Sequence, residues 1–308
     1  MTDDYSVLPL PGLREDNPRD FLAALGLLRL IDLQWPDSGA MLAWDVVQGH
    51  PILWTAQELP ADWSARITRS LHELVRDSVK TPKGPLFHGA VIKTSPEQFR
   101  GAAEASLVVG EQSASNPLAA LAPMLYAAYA PQTEDKGEME FSWFSFGNGQ
   151  SGKNLLLDAA QLTAGLEPDD IRLSLLGQAL PKSAKGLRWN PAEFRAAAYR
   201  SHDPGKGIKG DDTLDFPSFN VLAFFGLTFF PCVPTQRRGL TAGMHSLERE
   251  TFFQWPVWSP PLGPCVISSL VLLSPDGRHP ARGIEHWWQC RRFSSDKSLY
   301  FASATRLA

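Results

Sequence analysis

One glycine-rich segment has the residue types of a phosphate-binding loop. Residues 147–154 are Gly-Asn-Gly-Gln-Ser-Gly-Lys-Asn, so two glycines five positions apart precede Lys153. Backbone N–H groups and a lysine in this spacing hold phosphate oxygens. Hydrolysis of a nucleotide also needs Ser or Thr after the lysine to bind Mg²⁺, and position 154 is Asn. Three interpretations stay open: a nucleotide site, a nucleic-acid phosphate contact through Lys153, or a glycine turn that begins a helix.

A second segment combines cations with aromatic rings. From Lys182 to Lys209 there are seven Lys or Arg and two acidic residues, a balance of 7 − 2 = +5. Cations neutralise phosphates, and aromatic faces stack on unpaired bases. We expect phosphate contacts from Lys185, Arg188, Arg195, Arg200, Lys206 and Lys209, and base stacking from Trp189 or Tyr199. The alternative is a solvated helix face, with Arg195 and Tyr199 as an ordinary i, i+4 pair and Trp189 as a core anchor.

Two further clusters of cations follow in the C-terminal half. One is Arg237-Arg238 beside a glycine, and the other comprises Trp287, Trp288, Arg291, Arg292 and Phe293. Together they suggest phosphate contacts from several loops. The histidines are scattered without H-x-x-x-H or H-E-x-x-H spacing, and no acidic cluster is typical of a two-metal nuclease. We therefore expect no catalytic residue, no metal site and no cofactor.

Charge is divided unequally along the 308 residues, whose net charge is −4. Residues 1–150 hold 11 Lys or Arg and 19 Asp or Glu, a balance of 11 − 19 = −8. Residues 151–308 hold 18 and 14, a balance of 18 − 14 = +4. A polyanion is therefore expected to bind the second half.

Composition indicates a globular protein. The chain is 44% hydrophobic and 20% charged, and its three cysteines are odd in number and lack C-x-x-C spacing, which argues against a disulfide framework or structural zinc. No apolar run reaches about 18 residues, and no basic start precedes an apolar run with a cleavage site. We expect a cytoplasmic protein without a membrane partner.

The elements that position these groups start with a short strand and a tight loop before a buried helix. Asn17 can cap that helix, Pro18 suits its first turn, and residues 21–33 are apolar on more than one side. A hairpin is expected over residues 41–54 around Gly49-His50-Pro51. The remaining predicted elements are helices at 63–79, 96–109, 117–130, 153–164 and 221–230, strands at 139–146 and 266–273, a helix or strand at 168–180, and a loop at 201–218.

These elements predict an α+β fold with mixed helices and small antiparallel sheets in one compact chain. The polar, acidic connector at residues 131–140 is the best boundary between subdomains. We predict an acidic N-terminal subdomain, 1–136, and a basic C-terminal subdomain, 137–308.

Three segments, in order, resemble subunits of the type I-G (formerly I-U) CRISPR effector complexes. The first segment comprises Pro11, Gly12, Asn17, Pro18, Phe21 to Gly26, Leu28, Arg29 and Leu30. The second is Leu187-Arg-Trp-Asn-Pro-Ala-Glu, followed by Tyr199-Arg200 and Asp203-Pro204. The third runs from Leu222 to Pro231 and is followed by Gln254 to Trp258 and Pro261-Leu262.

The resemblance implies a non-enzymatic subunit of an RNA-guided DNA-targeting complex, similar to the large subunit of type I effectors. Such a subunit contacts the guide RNA end and the short motif that flanks the target, while base pairing reads the sequence. The implied partners are the other CRISPR effector subunits, guide RNA and target DNA, with the helicase-nuclease as a further candidate. The alternative identity is an accessory family that resembles an extension of that helicase-nuclease, and the alternative roles are a structural bridge or a P-loop-like nucleotide-binding protein.

Overall fold

The computed structural model describes residues 5–78, 93–94, 96–128, 133–135, 138–140, 143–144, 155–184, 186–192, 213–233, 240–275, 282–295 and 298–307. The fold is α+β, as the sequence predicts. In this part of the chain the α-helices are α1 (Pro18–Gln34), α2 (Trp63–Ser78), α3 (Pro96–Gly110), α4 (Leu121–Ala128), α5 (Leu155–Ala164), α6 (Asp170–Leu175), α7 (Pro217–Gly226) and α8 (Pro264–Leu270). None of them is long and apolar enough to cross a membrane.

All strand pairs in the described residues are antiparallel. A three-stranded sheet has the order β1 (Ser6–Pro9), β3 (His50–Thr55), β2 (Met41–Asp45). A larger sheet has the order β11 (Met244–Leu247), β12 (Glu250–Trp258), β13 (Ile284–Ser295), β14 (Ser298–Phe301), and β15 (Thr305–Leu307) also pairs with β13. The short strands are β4 (Lys93–Thr94), β5 (Thr133–Asp135), β6 (Glu138–Glu140), β7 (Lys182–Ala184), β8 (Thr213–Asp215), β9 (Cys232–Val233) and β10 (Leu240–Thr241).

Helix α1 lies at the centre of the molecule. Its predicted cap is confirmed, because the Asn17 Oδ1 accepts a hydrogen bond from the Arg19 backbone N–H at 3.0 Å and Pro18 occupies the first turn. Nearly every residue from Pro18 to Ile31 is buried. Burial of one Leu or Phe side chain stabilises the fold by about 1.5–3 kcal/mol, so α1 is a main source of hydrophobic stabilisation.

Helices α1 and α7 cross with their backbones in contact. Gly26 and Gly226 face each other at the crossing. A Cβ on Gly26 would overlap the carbonyl oxygen of Leu222, and a Cβ on Gly226 would overlap that of Leu22. Only two glycines allow this approach, which holds the first part of the chain against its second half.

The hydrophobic core is continuous across the predicted subdomain boundary. Phe21 of α1 packs against Trp44 of β2 and against Trp255 and Trp258 of β12, with ring centroids 5.8, 5.8 and 6.3 Å away. The Trp258 indole N–H also donates to the Leu42 carbonyl at 2.8 Å. The two sheets are therefore joined through α1 and β2, while the division at residue 136 stays a prediction.

Most predicted elements are confirmed, and two are wrong. Residues 266–270 lie in α8 rather than in a strand, because Pro264 after Gly263 begins a helix that a short, mostly apolar segment does not reveal. The loop predicted at 201–218 lies outside the described residues up to position 212, and its last part is wrong, because residues 213–215 form β8 and Pro217 starts α7. The ambiguous segment at 168–180 contains helix α6.

Two further predictions are correct only in part. The helix predicted at 117–130 begins as a 3-10 turn, Pro117–Ala120, before α4. The strand predicted at 139–146 corresponds to β6, and residues 143–144 already lie in a turn.

Candidate nucleic-acid interface

Most of the predicted phosphate-binding residues lie outside the described residues. These are Lys153, Lys185, Arg195, Tyr199, Arg200, Lys206, Lys209, Arg237 and Arg238, together with the loop Gly147 to Lys153. Arg188 and Trp189 are described, and they point to different parts of the molecule.

Trp189 is a core anchor and not a base-stacking residue. Its side chain is 0% exposed, and its indole N–H donates to the Phe144 carbonyl at 2.9 Å. A ring enclosed on both faces cannot stack on a base. The prediction of stacking by Trp189 is therefore corrected, and the core interpretation that the sequence left open is the right one.

Arg188 lies beside an aromatic ring at the edge of the large sheet. Its backbone φ is +66°, a left-handed conformation that costs a non-glycine residue about 1–2 kcal/mol. The buried Trp189 next to it fixes this turn. The half-buried Arg188 guanidinium then lies over the Tyr300 ring of β14, 5.5 Å from the ring centroid.

The outer face of the large sheet carries the aromatic–arginine face, defined here as Phe252, Arg291, Phe293 and Tyr300. The register pairs Phe252 with Arg291 and Phe293 with Tyr300, so all four side chains lie on one side. The three rings are half-buried, and about half of the Arg291 side chain is exposed. The centroids of Phe293 and Tyr300 are 6.2 Å apart with a 36° tilt.

The basic and aromatic cluster that the sequence indicates at residues 287–293 is divided between the two faces of β13. Arg291 and Phe293 lie on the outer face, where the Arg291 guanidinium is 5.7 Å from the Phe293 ring centroid. Trp288 and Arg292 lie on the inner face opposite Trp255 and Thr251. Burial lowers the pKa of Arg292 to about 10, which is still protonated at neutral pH. Arg291 is the exposed member of this cluster, whereas Trp288, Arg292 and Phe293 are half-buried.

Two titratable groups border the aromatic–arginine face. The Glu250 carboxylate accepts a 2.6 Å hydrogen bond from Arg291, and both side chains are about half exposed. His245 lies opposite Phe252, and burial lowers its pKa below the ordinary 6.5. The imidazole is therefore neutral at pH 7, so Arg188 and Arg291 provide the positive charge here among the described residues.

A buried polar junction holds the loop of Arg188 and Trp189 in place. Arg19 at the start of α1 pairs with Asp20 and with Asp215 of β8, and all three side chains are about 4% exposed or less. The Asn220 amide of α7 donates to Asp215 at 2.9 Å, and the Asn17 amide donates to Asn190 at 3.3 Å. This network connects the first two of the three resembling segments.

Two carboxylates share one guanidinium in this junction. Burial raises the pKa of Asp20, and the attraction of Arg19 opposes that shift only in part. Burial by itself would lower the Arg19 pKa, but the two carboxylates outweigh it and the pKa lies above its ordinary value. The buried network thus carries one more acidic group than basic groups.

A cleft of about 560 Å³ opens beside the junction. Its charged lining side chains are paired with one another: Arg14 donates to Asp16 at 2.7 Å, and Arg19 pairs with Asp20. The cleft therefore has no surplus charge for a phosphate or a metal ion.

Sequence reasoning missed several residues of this region. Phe252 and Tyr300 were not singled out, nor were Arg19 and Asp215. The alternation of Arg291 and Phe293 with Cys290 and Arg292 places Arg291 and Phe293 on one side of a strand, which was the available signal for this face. No local pattern indicates that residues 196 positions apart, Arg19 and Asp215, form one buried pair.

In a comparison with known proteins, no family model and no curated protein matches the chain. Within the described residues, no group of three or more His, Cys, Asp or Glu side chains is placed to hold a metal ion. A functional assignment therefore rests on the residues and their geometry.

Proposed function

We propose that this chain is a non-enzymatic nucleic-acid-binding subunit of a type I CRISPR RNA-guided DNA surveillance complex. In this role it contacts the guide RNA end, the target-flanking DNA motif, or both. The observation that carries the proposal is the aromatic–arginine face, where two arginines lie over two neighbouring rings of one sheet. Cations beside half-buried rings suit phosphate neutralisation combined with base contact.

The resembling segments support the proposal in a different way. The Gly26–Gly226 crossing joins the first to the third, and the Asn17–Asn190 hydrogen bond joins the first to the second. Motif residues of this kind maintain the fold rather than bind a ligand. Their order and mutual contact favour shared architecture with the effector subunits, and the binding surface is a separate feature built on that architecture.

Base pairing between guide and target reads sequence in such a complex, so the protein has to hold backbone and a few exposed bases. The sheet face supplies rings and two arginines. The basic segment between Ala192 and Thr213, with Arg195, Arg200, Lys206 and Lys209, supplies further cations by its composition.

The first test is a tagged purification of this chain from cells that express its neighbouring genes and a CRISPR array. Copurified proteins and RNA are identified, and ultraviolet crosslinking maps the peptides that contact nucleic acid. We expect effector subunits, guide RNA and crosslinked peptides from β13 or from residues 193–212. Recovery of the chain alone would contradict the proposal.

The two alternatives predict different outcomes, one in this experiment and one in a melting measurement. A structural bridge predicts copurified subunits without a crosslink to this chain. A nucleotide-binding protein predicts a rise in Tm on addition of ATP and Mg²⁺, and a Tm indifferent to both would remove that alternative.

A further inference from the structure

We infer that the aromatic–arginine face binds two adjacent unpaired nucleotides of a single strand, with one base on Phe293 and one on Tyr300. This inference rests on the proposed function and names the class of nucleic acid that the face accepts. It also assigns the contact to β13 and β14, away from the segment that the sequence favoured.

The two rings lie side by side and offer flat surfaces to bases. Their centroids are 6.2 Å apart and both rings belong to directly opposite residues of one sheet face. An unpaired base can lie against such a ring, whereas the faces of paired bases in a duplex are covered by their stacked neighbours.

Each ring of the pair has one arginine next to it. The Arg291 guanidinium is 5.7 Å from the Phe293 ring centroid, and the Arg188 guanidinium is 5.5 Å from the Tyr300 ring centroid. A strand that crosses both rings carries a phosphate on each flank of the two bases. Each arginine can thus meet a phosphate while its guanidinium plane stays near a ring.

The charges of the face favour a polyanion over an acidic or apolar protein segment. Glu250 pairs with Arg291 at this face. An anionic strand has to compete with this exposed carboxylate, whose pairing energy is small. Aromatic faces add attraction for bases that an acidic peptide cannot use.

The test measures fluorescence anisotropy of the full chain with a labelled 12-nucleotide single strand and with its duplex. We expect the single strand to bind at least about tenfold more tightly than the duplex. The double variant Phe293→Leu and Tyr300→Leu should lose about tenfold or more in single-strand affinity, because stacking on both rings is removed. Tyr5→Leu, at an exposed tyrosine 40% accessible near β1, should bind like the parent chain.

A second measurement uses the parent protein, so that it does not depend on the folding of a variant. A pair of adjacent abasic positions is moved along the single strand, one oligonucleotide for each position of the pair. At least one of these oligonucleotides should bind several-fold more weakly than the intact strand.

Equal affinity for duplex and single strand, no effect of the double variant, or no effect of abasic sites would overturn the inference. If guide RNA still copurifies in that case, the proposed function stands and only the assignment to this face fails. Loss of effector subunits with unchanged oligonucleotide affinity in the double variant would instead show a protein-binding face.

Discussion

At the scale of single residues, neighbouring side chains on this chain have opposite roles. Arg188 faces an exposed sheet edge and Trp189 is fully buried, because a left-handed turn separates them. Arg291 and Arg292 are likewise divided between the outer and inner faces of β13. Counting cations along the sequence therefore overestimates the number that can reach a phosphate.

Glu250 is predicted to weaken nucleic-acid binding by its pair with Arg291. Glu250→Gln should strengthen single-strand binding about two- to fivefold, because an exposed pair contributes about 0.2–1 kcal/mol and its removal leaves Arg291 to the phosphate. Anisotropy titration at low salt measures the change. Glu58→Gln, an exposed glutamate after β3, is the matched control. Equal gains in both variants would indicate a general charge effect.

Asp20 gives a prediction about pH. Its folded-state pKa is raised by burial, so its contribution to stability is greatest below the ordinary value of 3.8 and is lost as pH rises through the folded pKa. The free energy of unfolding of the parent chain should therefore fall relative to Asp20→Asn as pH increases from that value. Urea unfolding of both proteins across the acid range measures this difference.

Asp62 is the matched control with the opposite sign. Its hydrogen bond from Arg66 lowers its pKa, so the parent chain should gain stability relative to Asp62→Asn as pH rises through the acid range. If the parent chain also gained stability relative to Asp20→Asn as pH rises, the raised pKa of Asp20 would be contradicted.

At the scale of elements, periodicity and capping predicted the helices well when the pattern was long. Helices α1 and α2 were found from their apolar spacing, and Asn17 was identified as a cap. The prediction of a strand at 266–273 was wrong, since a segment of eight mostly apolar residues fits a buried helix or strand equally well. Strands β12 and β13 were not predicted as a pair, because strand pairing depends on residues far apart in sequence.

The Gly26–Gly226 crossing is predicted to tolerate no side chain. Gly26→Ala or Gly226→Ala should lower the free energy of unfolding by about 2 kcal/mol or more, because the helices must move apart. Gly101→Ala in α3 is the control, since a Cβ there meets no atom within 4 Å. That change should be neutral or stabilising by up to about 1 kcal/mol. Urea denaturation midpoints compare the three variants, and an unchanged midpoint for Gly26→Ala would contradict the packing described.

At the scale of the whole molecule, the sequence predicted the α+β class but not the site. The fold class can be predicted because helices and strands leave local patterns in consecutive residues. The aromatic–arginine face takes residues from β12, β13, β14 and the loop before Trp189, and only the folded chain brings these together. The role of the cations at residues 193–212 in nucleic-acid binding stays a prediction. The salt dependence of binding by the whole chain can test it.

The basic segment is expected to set the salt dependence of binding. Reversal of two of its charges, Arg195→Glu with Arg200→Glu, should weaken affinity and reduce the slope of log K against log salt by about 1.4, at about 0.7 per phosphate on a single strand. Arg66→Glu with Arg69→Glu, both exposed on α2 in the acidic half, is the matched control. An unchanged slope in the first variant would show that this segment does not contact phosphate.

The contact between α1 and α7 also constrains synthesis of the protein. Gly26 and Gly226 are 226 − 26 = 200 residues apart, so α1 emerges from the ribosome long before its packing partner. At about 5–20 residues per second this interval lasts roughly 10–40 s. During that time a helix that is almost entirely buried in the folded protein lacks its main packing partner. Folding of the core therefore has to await translation of the second half.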